Sequence, residues 1–473
     1  MRRQKQYIKF LRMDQIQNIL STISDSVWGL PLILILVGTG IFVTVRNRLV
    51  QIRGFKHGLE LISGKYDKPE YKGEISHFQA LAAALSATIG TGNITGVATA
   101  IAVGGPGALF WMWITAILGM AVKFTSCTLA VMYRRIDPDG YVRGGPMYYI
   151  ELGMGKRWKF LAYMFAAFTA VAALGIGNMV QANSVADGLV SLIGQKGTTT
   201  GLYFRLGVGI TIAVAVGMVI VGGIKRIGKV ASKLVPFMVV IYVGSALIIL
   251  GMSYDLIIPA FKMIFAQAFT PTSEMGGFAG ATVWMTMQQG FRRGVFSNES
   301  GLGSAPMAHA AAKVNEPVRE GLVAMLGPFI DTITICTLTG LVIVISGQWS
   351  SGLDGTPLTA QSFETILPSW GGSMVSLGLV LFAFSTIIAW SYYGEKGIEY
   401  ILGRKSVLPY KWVYLVFLPV GATLQLKLVW TLADITNGLM ALPNLIALVA
   451  LSGAVAAATK KYFRELRQGR HRD

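Results

Sequence analysis

Charge is scarce in this chain. Only 14% of its 473 residues are Asp, Glu, Lys or Arg, against roughly 25% in an average soluble domain, which excludes a water-facing surface of this size. Cysteine occurs twice, at Cys127 and Cys336, each inside a long apolar run, so neither a disulfide scaffold nor a cysteine-ligated zinc site is expected. The four histidines, His57, His77, His309 and His471, are scattered without a paired spacing such as His-Glu-x-x-His, and no P-loop is present. With no residues for ATP turnover, any uphill work must draw on a gradient. Acids are the rarer sign, 23 against 41 Lys and Arg, for a net charge of +18. The basic residues form short clusters between long uncharged runs, a distribution that fits loops facing an anionic leaflet and argues against a nucleic-acid partner.

What the sequence has in abundance is apolar length. A spanning helix needs about 20 mostly apolar residues, and about eleven candidates satisfy this: 25–45, 78–104, 106–132, 158–190, 206–222, 234–252, 277–312, 320–347, 372–394, 408–426 and 428–459. The first starts late, near Val27, and no small-residue cleavage site precedes Arg46, so it reads as a span and not as a cleaved signal. Short alternating segments, the mark of a membrane β-barrel, do not occur. The chain is therefore expected to be an all-α polytopic membrane protein in a lipid bilayer. Placing the 46–77 loop in the cytoplasm assigns 29 basic residues to that side and nine to the other, which predicts a cytoplasmic C-terminus. Five of the nine, Arg2, Arg3, Lys5, Lys9 and Arg12, run against the rule. They fit an amphipathic segment on the membrane surface, or a re-entrant first span that leaves both termini inside.

The remaining three basic residues, Lys123, Arg292 and Arg293, fall within spans, where charge is costly and faces protein or water. Two spans are also interrupted. One holds Ser86-Ala-Thr-Ile-Gly-Thr-Gly-Asn-Ile-Thr-Gly96; the other holds Gln288-Gln-Gly-Phe-Arg-Arg-Gly294, then Ser297-Asn-Glu-Ser-Gly-Leu-Gly-Ser304 and Pro306. Small residues also serve helix packing, but packing does not account for consecutive polar–glycine steps. Each interruption opens a block of five spans, and five is odd, so the blocks are inverted. This divides the chain into 1–77 (tail, extra helix and basic loop), a first repeat 78–252, a second repeat 277–459 and a basic tail 460–473. Unwound backbone inside a membrane survives where protein, water or ligand satisfies it; exposed N–H groups suit a carboxylate, and exposed carbonyls a small hard cation.

Several stretches resemble the alanine or glycine:cation symporter family, also called the sodium:alanine symporters. The most specific is Gly104-Gly-Pro-Gly-Ala-Leu-Phe-Trp-Met-Trp-Ile-Thr-Ala-Ile-Leu-Gly119. Others are Gly144-Gly-Pro-Met-Tyr-Tyr-Ile-Glu151, Phe296-Ser-Asn-Glu-Ser-Gly-Leu-Gly-Ser-Ala-Pro306, and Phe384-Ser-Thr through Trp390-Ser-Tyr-Tyr-Gly-Glu395. Ser300 is one departure, at a position where the family leads us to expect Ala.

The resemblance implies a leucine-transporter-like core with broken first and sixth core helices, no enzymatic activity, and uptake of alanine and glycine driven by sodium as coupling ion, with no other cofactor. Proton coupling is the alternative, and a channel a more distant one. The resemblance further implies that the N–H groups of Thr91 and Gly92 hold the substrate carboxylate, with Asn93 offering an amide and Gln181 receiving the ammonium. Gln289 and Gly290 face the same region in this reading, and Trp390 walls the pocket against long side chains. Sodium would be held by Ser385 and Thr386, Phe382 and carbonyls near Ser86 and Ile89. Asn178 and Asn183 lie near Gln181 in sequence. Asp331 and Glu299 are candidates to balance Arg292 or Arg293 or to bind an ion. An intramembrane enzyme built on Ser297 or Ser304 with His309 would leave both breaks unexplained.

Overall fold

The computed structural model describes residues 17–66, 68, 70–192, 199–270, 282–424 and 426–469. The basic tail with Arg2, Arg3, Lys5, Lys9 and Arg12, the first residues of the expected 277–312 span, and residues 470–473 lie outside these. The described residues are almost wholly helical, with one two-stranded antiparallel hairpin pairing Arg135–Ile136 with Val142–Arg143.

Among the described residues, eight helices are long and apolar enough to cross a membrane: α1 (Gln17–Arg46), α4 (Ala108–Met132), α5 (Lys156–Val190), α6 (Gly201–Ile220), α7 (Gly223–Met252), α10 (Pro317–Ile345), α11 (Gly371–Leu402) and α13 (Val429–Arg467). A ninth crossing is made if α2 (His77–Thr88) and α3 (Gly92–Gly104) count together; they bend by 52° at the break between them. The other two expected spans correspond to α8 (Val283–Asn298) with the short α9 (Ala305–His309), and to the 17-residue α12 (Val407–Thr423).

Both interruptions have local causes. The α2 helix starts on a capping box, in which Ser76 accepts from the Gln79 N–H and Gln79 returns the bond to the Ser76 backbone. It ends at Ile89, whose backbone is extended, and α3 resumes through a π-helical turn over Gly92–Gly96. The second break lies at 299–304, where Glu299, Gly301 and Gly303 have φ of 54°, 93° and 86°. Such angles are natural for glycine and uncommon for glutamate.

This narrows the expected interruption, which took in both 288–294 and 297–304, to its second part. The α8 helix runs regularly through Gly290 and Gly294. These two glycines, one turn apart, let α8 lie against α4: a Cβ on Gly290 would come within 2.5 Å of the Ala108 carbonyl and of the Trp111 Cβ, and one on Gly294 would meet Thr115. Inside a bilayer the apolar effect gives helices little reason to associate, so close small-residue packing takes its place. The departure at Ser300 follows the same logic, since its hydroxyl sits where a Cβ on Gly119 would fall, 2.5 Å away.

Candidate functional site

The two breaks face each other across the middle of the fold. A Cβ on Gly92 would come within 3.1 Å of the Ser297 Cα and 3.5 Å of the Phe296 ring. The residues of α8 that meet the first break are thus Phe296 and Ser297, about two turns beyond Gln289 and Gly290. Gly290 packs on α4 and the Gln289 Cβ lies against Gly104, so the fold does not bring these two together with Thr91 and Asn93.

At the first break, Asn93 is fully buried and engaged on both ends of its amide. Its Oδ1 accepts from the Gly90 N–H at 2.9 Å, which holds the unwound turn. Its Nδ2 donates to the Asp331 carboxylate at 2.7 Å and approaches the Cys336 Sγ at 3.3 Å. Asp331 also accepts from Ser297 at 2.8 Å and Thr332 at 2.7 Å. One buried carboxylate therefore ties together α3, α8 and a π-helical turn of α10 over Phe329–Cys336. A buried charge needs such donors, and this carboxylate's partners are not Arg292 and Arg293.

Gln181 comes to the same break from α5, just after a third π-helical turn at Gly175–Met179. Its Oε1 faces the Thr91 N–H at 3.4 Å, and its Nε2 donates to the Thr91 hydroxyl at 3.1 Å and the Ile176 carbonyl at 3.0 Å. Asn178 and Asn183 have other work: they donate to carbonyls of Tyr414, Gly421 and Leu424 and so pin α5 against α12 and its end. Single π-helical turns inside α-helices recur at functional sites, and all three here adjoin the first break or its partners.

Across from the end of α2 lies α11. The Ser86 hydroxyl donates to the Ser385 carbonyl at 2.7 Å. In return the Ser385 hydroxyl lies 3.1 Å from the Ser86 carbonyl, 3.4 Å from that of Ile89 and 2.8 Å from that of Phe382. The Thr386 hydroxyl is 3.4 Å from the Ile89 carbonyl. All five residues are buried. Gly90 is required beside them, because a Cβ there would fall on the Thr386 hydroxyl. The donor set is neutral oxygen throughout, the chemistry of a hard cation of low charge; a divalent ion would call for carboxylates.

One turn on from Thr386, Trp390 is fully buried. Its Nε1 donates to Glu299 at 2.7 Å, its ring packs edge-on to Tyr393 with centroids 5.4 Å apart, and its Cβ occupies the space a side chain on Gly177 would need. Glu299 also accepts from Ser304 at 2.5 Å. Lys123, equally buried, feels the carboxylates of Glu299 and Asp331, with its Nζ 3.4 Å from where a Cβ on Gly327 would stand.

Above the site, on the side of Thr95 and Thr99, a cavity of about 580 Å³ is lined by Arg292, Arg293, Asp354 and Asp434 among others. Arg292 pairs with Asp434 at 2.5 Å and Asp25 at 3.2 Å, and Arg293 with Asp434 at 3.6 Å while lying over Trp430. Asp434 is thus the balancing acid. Asp434 is not among the residues expected from the sequence, although an acid inside the apolar run 428–459 is a signal in itself.

The family model for the sodium:alanine symporter family matches residues 13–473. The chain belongs to that family. The sodium/alanine symporter AgcS of Methanococcus maripaludis is 48% identical to it over 95% of this chain and 98% of its own. From Bacillus subtilis, the amino-acid carrier protein AlsT is 36% identical (94% and 92% covered), and GlnT, described as a probable sodium/glutamine symporter, 38% (97% and 93%). Among solved structures, MhsT in complex with L-phenylalanine superposes with a TM-score of 0.52 at 13% identity, covering 80% of this chain and 89% of that one. This likeness shows the fold, that of the leucine-transporter-like carriers.

The symporter is a multi-pass membrane protein that carries amino acids; it is not an enzyme. Ser297 is bound to Asp331, Ser304 to Glu299, and His309 to Glu320 at 2.6 Å. Glu320 also holds His77, so it clips the start of α2 to the end of α9.

Proposed function

We propose that the protein imports alanine and glycine together with sodium by alternating access. The observation that carries this reading is the convergence of oxygens from Ser86, Ile89, Phe382, Ser385 and Thr386 beside a broken helix. In it, sodium takes the carbonyls of Ser86, Ile89 and Phe382 and the hydroxyls of Ser385 and Thr386, whose protons turn away to admit it. The amino acid's carboxylate sits at the N–H groups of Thr91 and Gly92, where the start of α3 favours negative charge. Gln181 faces the same turn and Asn93 fixes its shape. Trp390 is the wall that limits side-chain length; held by Glu299 and wedged on Gly177, it has little freedom to yield. The pairs of Arg292 and Arg293 with Asp434 line the cavity next to the site. Gln289 and Gly290 drop out of the substrate set in favour of Phe296 and Ser297.

The basic loops and the C-terminus face the cytoplasm in this reading, and residues 78–252 and 277–459 form the two repeats. A relative named for alanine at 48% identity supports the choice of substrate, while one named for glutamine at 38% makes glutamine the competitor to include. The test is uptake into proteoliposomes. An inward sodium gradient should concentrate alanine, with glycine competing and leucine, phenylalanine and glutamine competing weakly. Equal uptake with choline in place of sodium, with a pH gradient required, would replace sodium by the proton.

A further inference from the structure

A strongly basic cleft lies far from the transport site, where the end of α1 meets the end of α13. It encloses about 650 Å³ and is lined by Arg46, Arg48, Arg53, Lys460, Arg464 and Arg467, with no acid in its wall. Among the described residues none of these six forms an ion pair. Arg53 donates to the Asn47 carbonyl at 3.4 Å and lies 5.1 Å over the Phe463 ring. Its guanidinium is held below its ordinary pKa by burial first and then by the positive charges of Arg48 and Arg467. In the adjoining cleft Glu60 is taken up by His57 and Tyr66, at 3.3 Å each. Six like charges in one concavity repel each other, and among the described residues no acid lines the cleft to neutralise them.

We propose that this cleft binds the phosphodiester headgroup of an anionic phospholipid. The wall beside it decides for lipid over a free anion. Phe42, Val45, Leu49 and Ile52 are apolar and exposed, Val45 and Ile52 at 70% and 71%. They run along the end of α1 and just past it, next to Arg46, Arg48 and Arg53. Acyl chains can lie along this strip while the headgroup reaches the arginines, an arrangement that basic pockets at the ends of membrane helices provide. A dissolved phosphate would have no use for the strip. Because α13 contributes Lys460, Arg464 and Arg467, a bound lipid would bridge the first and last spanning helices. The site is independent of what the symporter carries.

The test is thermal unfolding of the purified full chain in a neutral detergent, with dioleoyl-phosphatidylglycerol, dioleoyl-phosphatidylcholine or inorganic phosphate added. Phosphatidylglycerol should raise the melting temperature; phosphatidylcholine and phosphate should not. Lys460 and Arg464 are exposed, so K460Q/R464Q removes two charges without touching the core. At about 1 kcal/mol per basic residue near an anionic surface, the double change should shift the lipid requirement about 30-fold. The charge-retaining K460R/R464K should respond as the unmodified protein does. An equal response to phosphatidylcholine, a response reproduced by phosphate alone, or an unshifted K460Q/R464Q would each overturn the proposal.

Discussion

Replacing Thr386 by valine removes one oxygen and almost nothing else. The side chain is 2% exposed, and its hydroxyl lies 3.4 Å from the Ile89 carbonyl, beyond the 2.5–3.0 Å range of a good O–H···O bond. Valine keeps the branched shape, so the fold loses little. The proposed sodium ligand, however, is gone, and the loss of one polar partner in a buried site costs about 1–3 kcal/mol. That corresponds to a rise of roughly 5- to 150-fold in half-saturating sodium. Linkage requires the penalty to appear on the other ligand too: at fixed sodium the alanine requirement should rise, and saturating sodium should restore it. The assay is alanine uptake in proteoliposomes over a matrix of sodium and alanine concentrations, with the melting temperature of the purified variant as the control for folding. Thr386→Ser, which returns the oxygen, should recover sodium affinity. An unchanged sodium requirement in Thr386→Val, with folding intact, would refute the assignment of α11 hydroxyls to the ion.

Asn93→Ala should behave differently, lowering both the melting temperature and alanine affinity, because it strips donors from Asp331 and leaves the Gly90 N–H unmatched, at about 1–3 kcal/mol each; a calorimetric scan alongside uptake separates it from Thr386→Val. Trp390→Phe removes the N–H that binds Glu299 and frees space, so leucine competition should strengthen by about tenfold, within the 1–3 kcal/mol that overpacking costs; failure to widen selectivity would place the limiting wall elsewhere. Gly290→Val should prevent folding by forcing α8 off α4, and Gly290→Ala should reduce expression while leaving the substrate preference of the surviving protein unchanged, a point that competition uptake checks. If one sodium accompanies each zwitterion, alanine should evoke an inward current, and 100 mV supplies about 2.3 kcal/mol per charge, roughly 50-fold accumulation; electroneutral uptake would change the stoichiometry.

The first break and the hydroxyl pair that faces it were readable because their signals are local. Gly90, Gly92 and Asn93 lie within four residues, and Ser385 and Thr386 are adjacent. The second break was drawn too wide because two glycines four apart, Gly290 and Gly294, look alike whether a helix unwinds there or packs there. What fixes the true break is positive φ at Glu299, Gly301 and Gly303, of which only the two glycines show in the sequence. Asn178, Gln181 and Asn183 are similar in chemistry and close in sequence, yet only Gln181 faces Thr91; the π-helical turn at Gly175–Met179 sets their directions. His77 and His309 looked scattered because Glu320, which joins them, lies 243 residues from one and 11 from the other. Such groupings exist only once the chain is folded.

The polar contacts around the two breaks form a closed circuit. Ser385 and Thr386 on α11 reach the carbonyls that end α2, and Trp390, one turn further on, reaches Glu299 at the second break. From the first break Asn93 reaches Asp331 on α10, and Asp331 reaches Ser297, two residues before Glu299. In surroundings this buried, a polar group that loses its partner is costly. Moving either broken helix alone would strand Asp331, or the Ser86 and Ile89 carbonyls, or Glu299. The low-cost motions are those in which a ligand replaces the lost bonds. A cation can do this for the carbonyls and hydroxyls of α2 and α11, and an amino acid's carboxylate for the N–H groups at Thr91 and Gly92. These two sets of groups are one residue apart at the break, between Ile89 and Thr91. Satisfying one while leaving the other exposed keeps most of the penalty, and this is the physical reason to expect sodium and substrate to bind together in the symporter.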